Sequence, residues 1–560
     1  MPEMAWNFAD LFELVADTAP ERNALAHGVA GPTRSWRELD RNANALALHL
    51  ARRHQPGDKL ALYSYNRPEF VETLVAAFKA RLVPVNVNYR YREEELVYLL
   101  DNSDATVVVY EAGFAGSVAK VRDRLPKVRE WIELADGSAS AGRPGARSEP
   151  QASEVHGLGN AFATSYEEIV GRGTDERLDI ERKPTDLLFM YTGGTTGMPK
   201  GVMWEHSALY RALGGGGNAV IGEKASESVE EQRDRIAQEA RGQRLLPACP
   251  LMHGTGLFTA INALGGGGAI ITLTAKSLDA EELWSTAEAR GATATAIVGD
   301  AFAKPMLKAL QENPGRWDLS KFFLVVSSGV IFTPQTKQGL LEHLPHAIMY
   351  DSFGSSEAVG FGTELTTKAS TVQLAKFKIG PNCKVFTPDG REVEPGSDEP
   401  GYIARSGPIP LGYYKDEKKS AETFKTYQGR RWSIPGDWCT VNTDGTLNLL
   451  GRGSVCINTA GEKVYPEEVE EALKTHPAVA DALVVGLPDE KWGESVTGVV
   501  TLEAGKQATE AELRAHVRER LAGYKTPKRI VFTAAPMRAP NGKADYKAAK
   551  QTAIAALGSA

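Results

Sequence analysis

An α/β fold is predicted for this 560-residue chain. Three observations carry that prediction. Helix-spaced and strand-like segments alternate through residues 1–130, the rhythm of a mostly parallel sheet covered by helices. The chain is too long for one ordinary core, so two or more domains are expected. A short apolar run, Leu187-Leu188-Phe189-Met190, opens into a loop crowded with glycine and threonine, as strands do before a ligand loop.

The elements follow in order. Trp36 to Leu50 has helical spacing. Lys59-Leu-Ala-Leu-Tyr reads as a strand, Glu69–Lys79 as a helix, and Leu82-Val-Pro-Val-Asn-Val as a strand. Glu93–Asn102 is helical and Ala105–Tyr110 extended. Residues 135–160, rich in Gly, Ala, Ser and Pro, read as a surface insertion. Glu223–Arg244 is a charge run with Glu and Arg at helical separations, read as a solvated helix or, alternatively, a partner surface. Two tetraglycines, Gly214–Gly217 and Gly265–Gly268, weaken any regular element. They fit either a loop or close helix–helix contact, or a pocket wall left without side chains that leaves room for a bulky ligand.

Composition excludes several classes. Apolar content of 42% and charged content of 24% are those of a globular protein, and a net charge of −7 argues against a nucleic-acid binder. The four cysteines are widely spaced with no CxxC, so neither a zinc site nor a disulfide framework is indicated, and a reducing, cytoplasmic setting fits. Met1–Asp10 lacks the apolar stretch of a secretory signal, and no run of 18 apolar residues suggests a transmembrane helix.

The most informative run is Tyr191-Thr-Gly-Gly-Thr-Thr-Gly-Met-Pro-Lys200-Gly. Glycines let backbone N–H groups approach an anion, hydroxyls donate to phosphate oxygens, and lysine adds charge. The order differs from a P-loop, because Lys200 lies between Pro199 and Gly201 rather than before a Ser or Thr. The run resembles the phosphate loop of the acyl-adenylate-forming superfamily: acyl-CoA synthetases, beetle luciferases and peptide-synthetase adenylation domains.

Further motifs of that superfamily follow in order over about residues 10–550. Pro250-Leu-Met-His-Gly-Thr-Gly resembles its histidine segment, which implies that His253 orients the acyl carboxylate, with Gly254, Gly256, Gly299 and Gly329 around the acyl pocket. Ser327-Ser-Gly329-Val330-Ile331 resembles the segment lying against adenine. Tyr350-Asp-Ser-Phe-Gly-Ser-Ser-Glu resembles the aromatic-Gly-x-Thr-Glu motif. The resemblance implies that Phe353 stacks on the base and Asp351 accepts from the adenine amino group. Ser352, Gly354, Ser355 and Ser356 then line the nucleotide, Ser356 replacing the usual Thr. Glu357 is implied as the Mg2+ ligand with Thr196, a hard carboxylate for a hard cation. The nucleotide set is completed by Thr192, Gly193, Gly194, Thr195, Gly197 and Lys200.

Ile434-Pro-Gly-Asp437 and the hairpin ending in Gly451-Arg452 resemble the ribose-binding segment. Asp437 would accept from both ribose hydroxyls and Arg452 would approach the ribose or phosphates. Ser454 holds the hinge position, where Asp or Lys is usual. The resemblance implies a large N-terminal domain, 1–453, and a small mobile α+β domain, 454–560. The loop Ala460-Gly461-Glu462-Lys463 would line a pantetheine tunnel. Lys543, in Pro-Asn-Gly-Lys, would be the catalytic lysine bridging carboxylate and α-phosphate. The spellings Val202-Met-Trp, Gly299-Asp-Ala-Phe-Ala-Lys-Pro and Gly451-Arg-Gly-Ser-Val-Cys-Ile-Asn-Thr resemble bacterial synthetases that include enzymes of steroid side-chain acids.

The implied activity is AMP-forming acid–CoA ligation on a medium-to-long-chain or bulky acid. Its partners are ATP, CoA, Mg2+ and the acid, without nucleic acid; peripheral membrane contact and a homodimer are compatible with it. Two rivals share the motifs: an enzyme loading an acyl carrier protein in trans, and an inactive nucleotide-binding homologue.

Overall fold

The computed structural model describes residues 6–135, 162–192, 198–217, 223–330, 332–370, 377–452, 457–459, 462–489, 493–521, 523–534, 537–538 and 544–558. Among them the strands form three sheets. The first has eight strands, in the order Gly412–Tyr413, Lys200–Glu205, Leu187–Thr192, Val83–Asn86, Lys59–Tyr63, Ala105–Glu111, Glu130–Leu134, Thr164–Ser165. The second has 15. Its parallel half runs Asn23–His27, Ala269–Thr272, Arg244–Pro247, Ala294–Ile297, Leu324–Ser328, Ile348–Ser355. From Ala358–Thr366 onward it turns antiparallel, through Thr446–Arg452 and Asp437–Val441. The third, of five strands, belongs to the C-terminal part.

Alternation along the strands explains the layering. In Lys59–Tyr63, Leu60 and Leu62 face one core while Ala61 and Tyr63 face another. The first of these cores lies between the two large sheets. It is filled by helices Phe8–Thr18, Trp36–Ala51, Pro68–Lys79 and Gly254–Gly265. Ser35 starts the second of these helices with a capping box to Glu38. Helix Pro68–Lys79 is buried on all sides, and its charges are paired. Lys79 Nζ meets Glu13 at 2.6 Å and Asp40 at 2.7 Å, and Glu72 meets Arg34 at 2.9 Å. Removing one partner of such a pair leaves an uncompensated buried charge.

The predicted elements are present. The observed helices are Trp36–Ala51, Pro68–Lys79 and Glu93–Asn102; the strands are Lys59–Tyr63, Val83–Asn86 and Ala105–Glu111. The insertion lies outside the described residues except for its first residue, 135, and so does the expected domain boundary at 453/454. The charge run forms helix Val229–Ala237, but this helix is anchored rather than merely solvated. Its Gln232 is buried and donates to Gly265 O at 3.0 Å, and Ile236 is also buried.

Both tetraglycines serve close packing. At Gly216 (φ +80°) a Cβ would lie 2.2 Å from Gln232 Oε1. Gly267 (φ +76°) faces Arg22, Ile236 and Val15, and at Gly268 a Cβ would lie 2.2 Å from Gln243 O. Trp36 Nε1 also donates to Gly268 O at 3.1 Å. Gly265–Gly268 is therefore where helix Gly254–Gly265 closes onto the N-terminal helices, not an open pocket wall.

Candidate active site

The phosphate-loop candidate joins two antiparallel strands in the register Thr192↔Lys200 and Tyr191↔Gly201. Gly201 is required there, because a Cβ would lie 2.6 Å from the Tyr191 ring. Gly193–Gly197 lie outside the described residues. Lys200 emerges half-exposed from the far end and forms an ion pair with Asp416.

Asn86 fixes where this loop begins. It is 6% exposed at the end of the neighbouring strand. Its Oδ1 accepts from Tyr191 N at 2.6 Å, and its Nδ2 donates to Tyr191 O at 3.0 Å and Met252 O at 2.7 Å. One side chain thus joins the residue before Thr192 to the residue before His253. Asn66 clamps the same histidine loop, donating to Cys249 O at 3.0 Å and accepting from Leu251 N at 2.7 Å.

His253 is the N-cap residue of helix Gly254–Gly265. A Cβ on Gly254 would lie 3.7 Å from Ser356 Oγ, and one on Gly329 would lie 3.8 Å from Val298 and 4.0 Å from Thr255. At Gly256 a Cβ would lie 2.5 Å from Pro250 O, so that glycine allows the loop to fold back. Gly299 caps helix Asp300–Glu312, and its N–H donates to Ser327 Oγ at 3.2 Å. The structure therefore brings His253, Gly254, Gly299, Gly329 and Ser356 to one region, with Val330 beside it in the partly buried rim of the central core. Ile331 lies outside the described residues.

Glu357 is 8% exposed. Tyr413 OH donates to its Oε1 at 2.8 Å, and Ser433 Oγ donates to its carbonyl at 2.7 Å. Its own N–H donates to Ser355 Oγ at 3.2 Å, and Trp204 Nε1 donates to Ser356 O at 2.8 Å. Three other segments thus hold this one turn. A carboxylate offers about four lone-pair sites, so one tyrosine bond orients Glu357 and still leaves oxygen donors for a hard cation.

Phe353, with Ser352 and Gly354 beside it, is half-buried. Its ring centroid lies 5.3 Å from Phe361 and 5.6 Å from Phe377. Asp351, two residues earlier on the same strand, is buried. Lys337 Nζ lies 3.1 Å from its Oδ2 and 2.6 Å from Glu364. Burial pushes the Asp351 carboxyl up to about 6, against the attraction of Lys337. Any adenine contact therefore shares this carboxylate with Lys337.

Asp437 and Arg452 are register partners on adjacent antiparallel strands. Helix Pro466–Lys474 of the C-terminal part packs over this hairpin, with the Glu467 side chain against Gly451. Burial, then the neighbouring Glu470 and Asp437, push Glu467 up to about 8. Glu462 and Lys463 begin strand Glu462–Val464. Ser454, Ala460, Gly461 and Lys543 lie outside the described residues.

Sequence reasoning missed Asn86, Asn66, Lys337, Tyr413 and Asp416. Only Asn86 carried a signal, as a polar residue in the apolar run Val-Pro-Val-Asn-Val. No helix among the described residues is long and apolar enough to cross a membrane.

Comparison with known proteins shows the family. The AMP-binding enzyme model matches residues 12–414, and the AMP-binding enzyme C-terminal domain matches 468–543. A 3-oxocholest-4-en-26-oate–CoA ligase of Rhodococcus rhodochrous is 42% identical, over 98% of this chain and 96% of its own length. A medium/long-chain-fatty-acid–CoA/3-oxocholest-4-en-26-oate–CoA ligase of Mycobacterium marinum is 41% identical over the same shares. An anthranilate CoA ligase solved with anthranoyl-AMP shares the fold, with a TM-score of 0.81 at 20% identity over 100% of this chain and 99% of that one. A family match over more than half the chain, with relatives this similar from end to end, has one reading: the chain belongs to the AMP-binding enzyme family and carries that family's C-terminal domain.

Proposed function

We propose that this chain is an AMP-forming acid–CoA ligase acting on medium-to-long-chain or ring-bearing carboxylic acids. The observation that carries the proposal is end-to-end identity of 41–42% to ligases named for such acids.

The reaction has two steps. The substrate carboxylate attacks the α-phosphorus of ATP, and pyrophosphate leaves, giving acyl-AMP. The CoA thiol then attacks the acyl carbon, its proton is lost, and AMP leaves. Adenylation turns a poor leaving group into a good one. Lys200 takes triphosphate charge. Asp437 accepts from the ribose, with Arg452 alongside. Phe353 and the Gly329–Ile331 segment bracket the base, and His253 orients the acyl carboxylate. Lys543 stabilises charge during the first step, and rotation about Ser454 then replaces it with the loop Ala460–Lys463. Glu357 and Thr196 would hold Mg2+, which supplies charge neutralisation on the phosphates. Closure of the small domain sequesters the adenylate from water. The setting is cytoplasmic, where ATP and CoA are available.

The test is a panel of acids from acetate to long-chain and sterol side-chain acids, scored by AMP formation with and without CoA. CoA-dependent turnover that is best on long or ring-bearing acids is expected. Best turnover of acetate would overturn the substrate class. Thioester formed only on a carrier protein would overturn the acceptor.

A further inference from the structure

The segment Gly412–Asp416 has no role in the motifs above, yet it touches two charged residues of the candidate site, Lys200 and Glu357. Strand Gly412–Tyr413 lies along the strand leaving the phosphate loop, in the register Gly412↔Met203 and Tyr413↔Val202. Tyr414 N donates to Gly201 O at 2.8 Å, one residue from Lys200. From this ledge Tyr413 OH reaches Glu357, and Asp416 reaches Lys200.

The two partners in the second contact differ in freedom. Asp416 is the N-cap of helix Glu417–Thr423, and its Oδ1 accepts from Lys419 N at 2.9 Å. Its Oδ2 is the oxygen that meets Lys200. The carboxylate cannot swing away without uncapping the helix. Lys200 has a flexible four-carbon stem, and its side chain is 39% exposed. The lysine is therefore the mobile member. The hydrogen bond from Lys200 is the first cause of a lowered Asp416 pKa, so the carboxylate is anionic at neutral pH.

We propose that Asp416 is a resident counter-ion for Lys200. It holds the ammonium between turnovers, yields it to an arriving triphosphate, and takes it back as pyrophosphate departs. Asp416 is thus a positioning residue that acts on pyrophosphate release, and the inference rests on Lys200 being the phosphate lysine. An ion pair this exposed is weak, so a polyphosphate displaces it. Because the carboxylate remains fixed beside the site, it also competes with and repels the bound anion.

Asp416→Asn removes the charge and keeps a side-chain oxygen to cap the helix, since Asn is as good an N-cap as Asp. The pyrophosphate product-inhibition constant and KM for ATP are expected to fall together by about two- to fivefold, the range for an exposed ion pair. KM for the acid and for CoA stay where they were. Loss of a purely structural residue would not tighten pyrophosphate. An unchanged or raised inhibition constant overturns the proposal. Lys200→Met, measured alongside, separates the two layers. If it leaves pyrophosphate inhibition unchanged, Lys200 does not meet the phosphates and both readings fall. If it weakens inhibition while Asp416→Asn changes nothing, the counter-ion role alone falls.

Discussion

Replacing Asn86 by alanine tests whether the phosphate loop and the histidine loop are held as one unit. The side chain makes three hydrogen bonds to backbone, two to Tyr191 and one to Met252. At roughly 0.5–1.5 kcal/mol each, their loss lowers stability by about 1.5–4.5 kcal/mol. The catalytic effect is separate. Thr192 and His253 each follow a clamped residue, so releasing the clamp lets the two loops shift relative to each other. A displacement of about 1 Å can cost about 10²-fold in rate. Urea unfolding followed by tryptophan fluorescence reads the first effect, and acid-dependent ATP–pyrophosphate exchange per folded molecule reads the second. Asn86→Asp is the sharper variant. It keeps an acceptor for Tyr191 N but turns a carboxylate toward two carbonyls, so it should damage exchange at least as much as alanine. Exchange that survives in either variant, with stability alone reduced, would refute the coupling.

Lys543→Ala should lower adenylation by about 10²–10³-fold, the cost of one preorganised charge. It should leave conversion of supplied acyl-AMP to thioester intact, which separate half-reaction assays would check. Asp437→Ala should weaken ATP binding by roughly 1.5–3 kcal/mol without a matching loss for the acid; calorimetric titration with ATP and 2′-deoxy-ATP reads this, and equal discrimination by parent and variant would contradict the ribose role. Glu467 supplies a pH dependence. Its folded-state pKa is raised to about 8, so the packing of helix Pro466–Lys474 on Gly451 is strongest at low pH and weakens as pH rises from about 4.5 through 8. Limited proteolysis across that range should show increasing cleavage of the C-terminal part, and Glu467→Gln should flatten the profile.

Local patterns were readable because the forces behind them are local. Helix Glu93–Asn102 follows from apolar spacing and three acids in its first turn. Trp36–Ala51 follows from a Ser-x-x-Glu cap ahead of a periodic stripe. The chemical motifs are contiguous runs for the same reason: in the proposed reading each is one loop meeting one part of a ligand. The residues that hold those loops together were not readable. Asn86 lies 105 positions from Tyr191 and 166 from Met252, and Asp416 lies 216 from Lys200. Nothing in their own neighbourhoods announces the partner.

The tetraglycines show the converse error. A glycine run reports the absence of side chains, not what fills the space. At Gly217 and Gly268 a Cβ would lie 2.3 and 2.2 Å from the backbone oxygens of Lys224 and Gln243, which no side chain tolerates. At Gly254 and Gly329 the nearest atoms lie at 3.5 and 3.8 Å, ordinary contact distances. Both of these glycines lie in the region of His253 and Ser356. In the proposed reading, room for an acyl group is therefore expected at the N-terminus of helix Gly254–Gly265 and the edge of Val298, not at the helix's far end. Each buried CH₂ of an acyl chain contributes about 0.8 kcal/mol. On that reading substrate length is governed by side chains lining the path away from Gly254, and a large residue at Gly267 would perturb packing against Val15 and Ile236 rather than shorten the acid accepted.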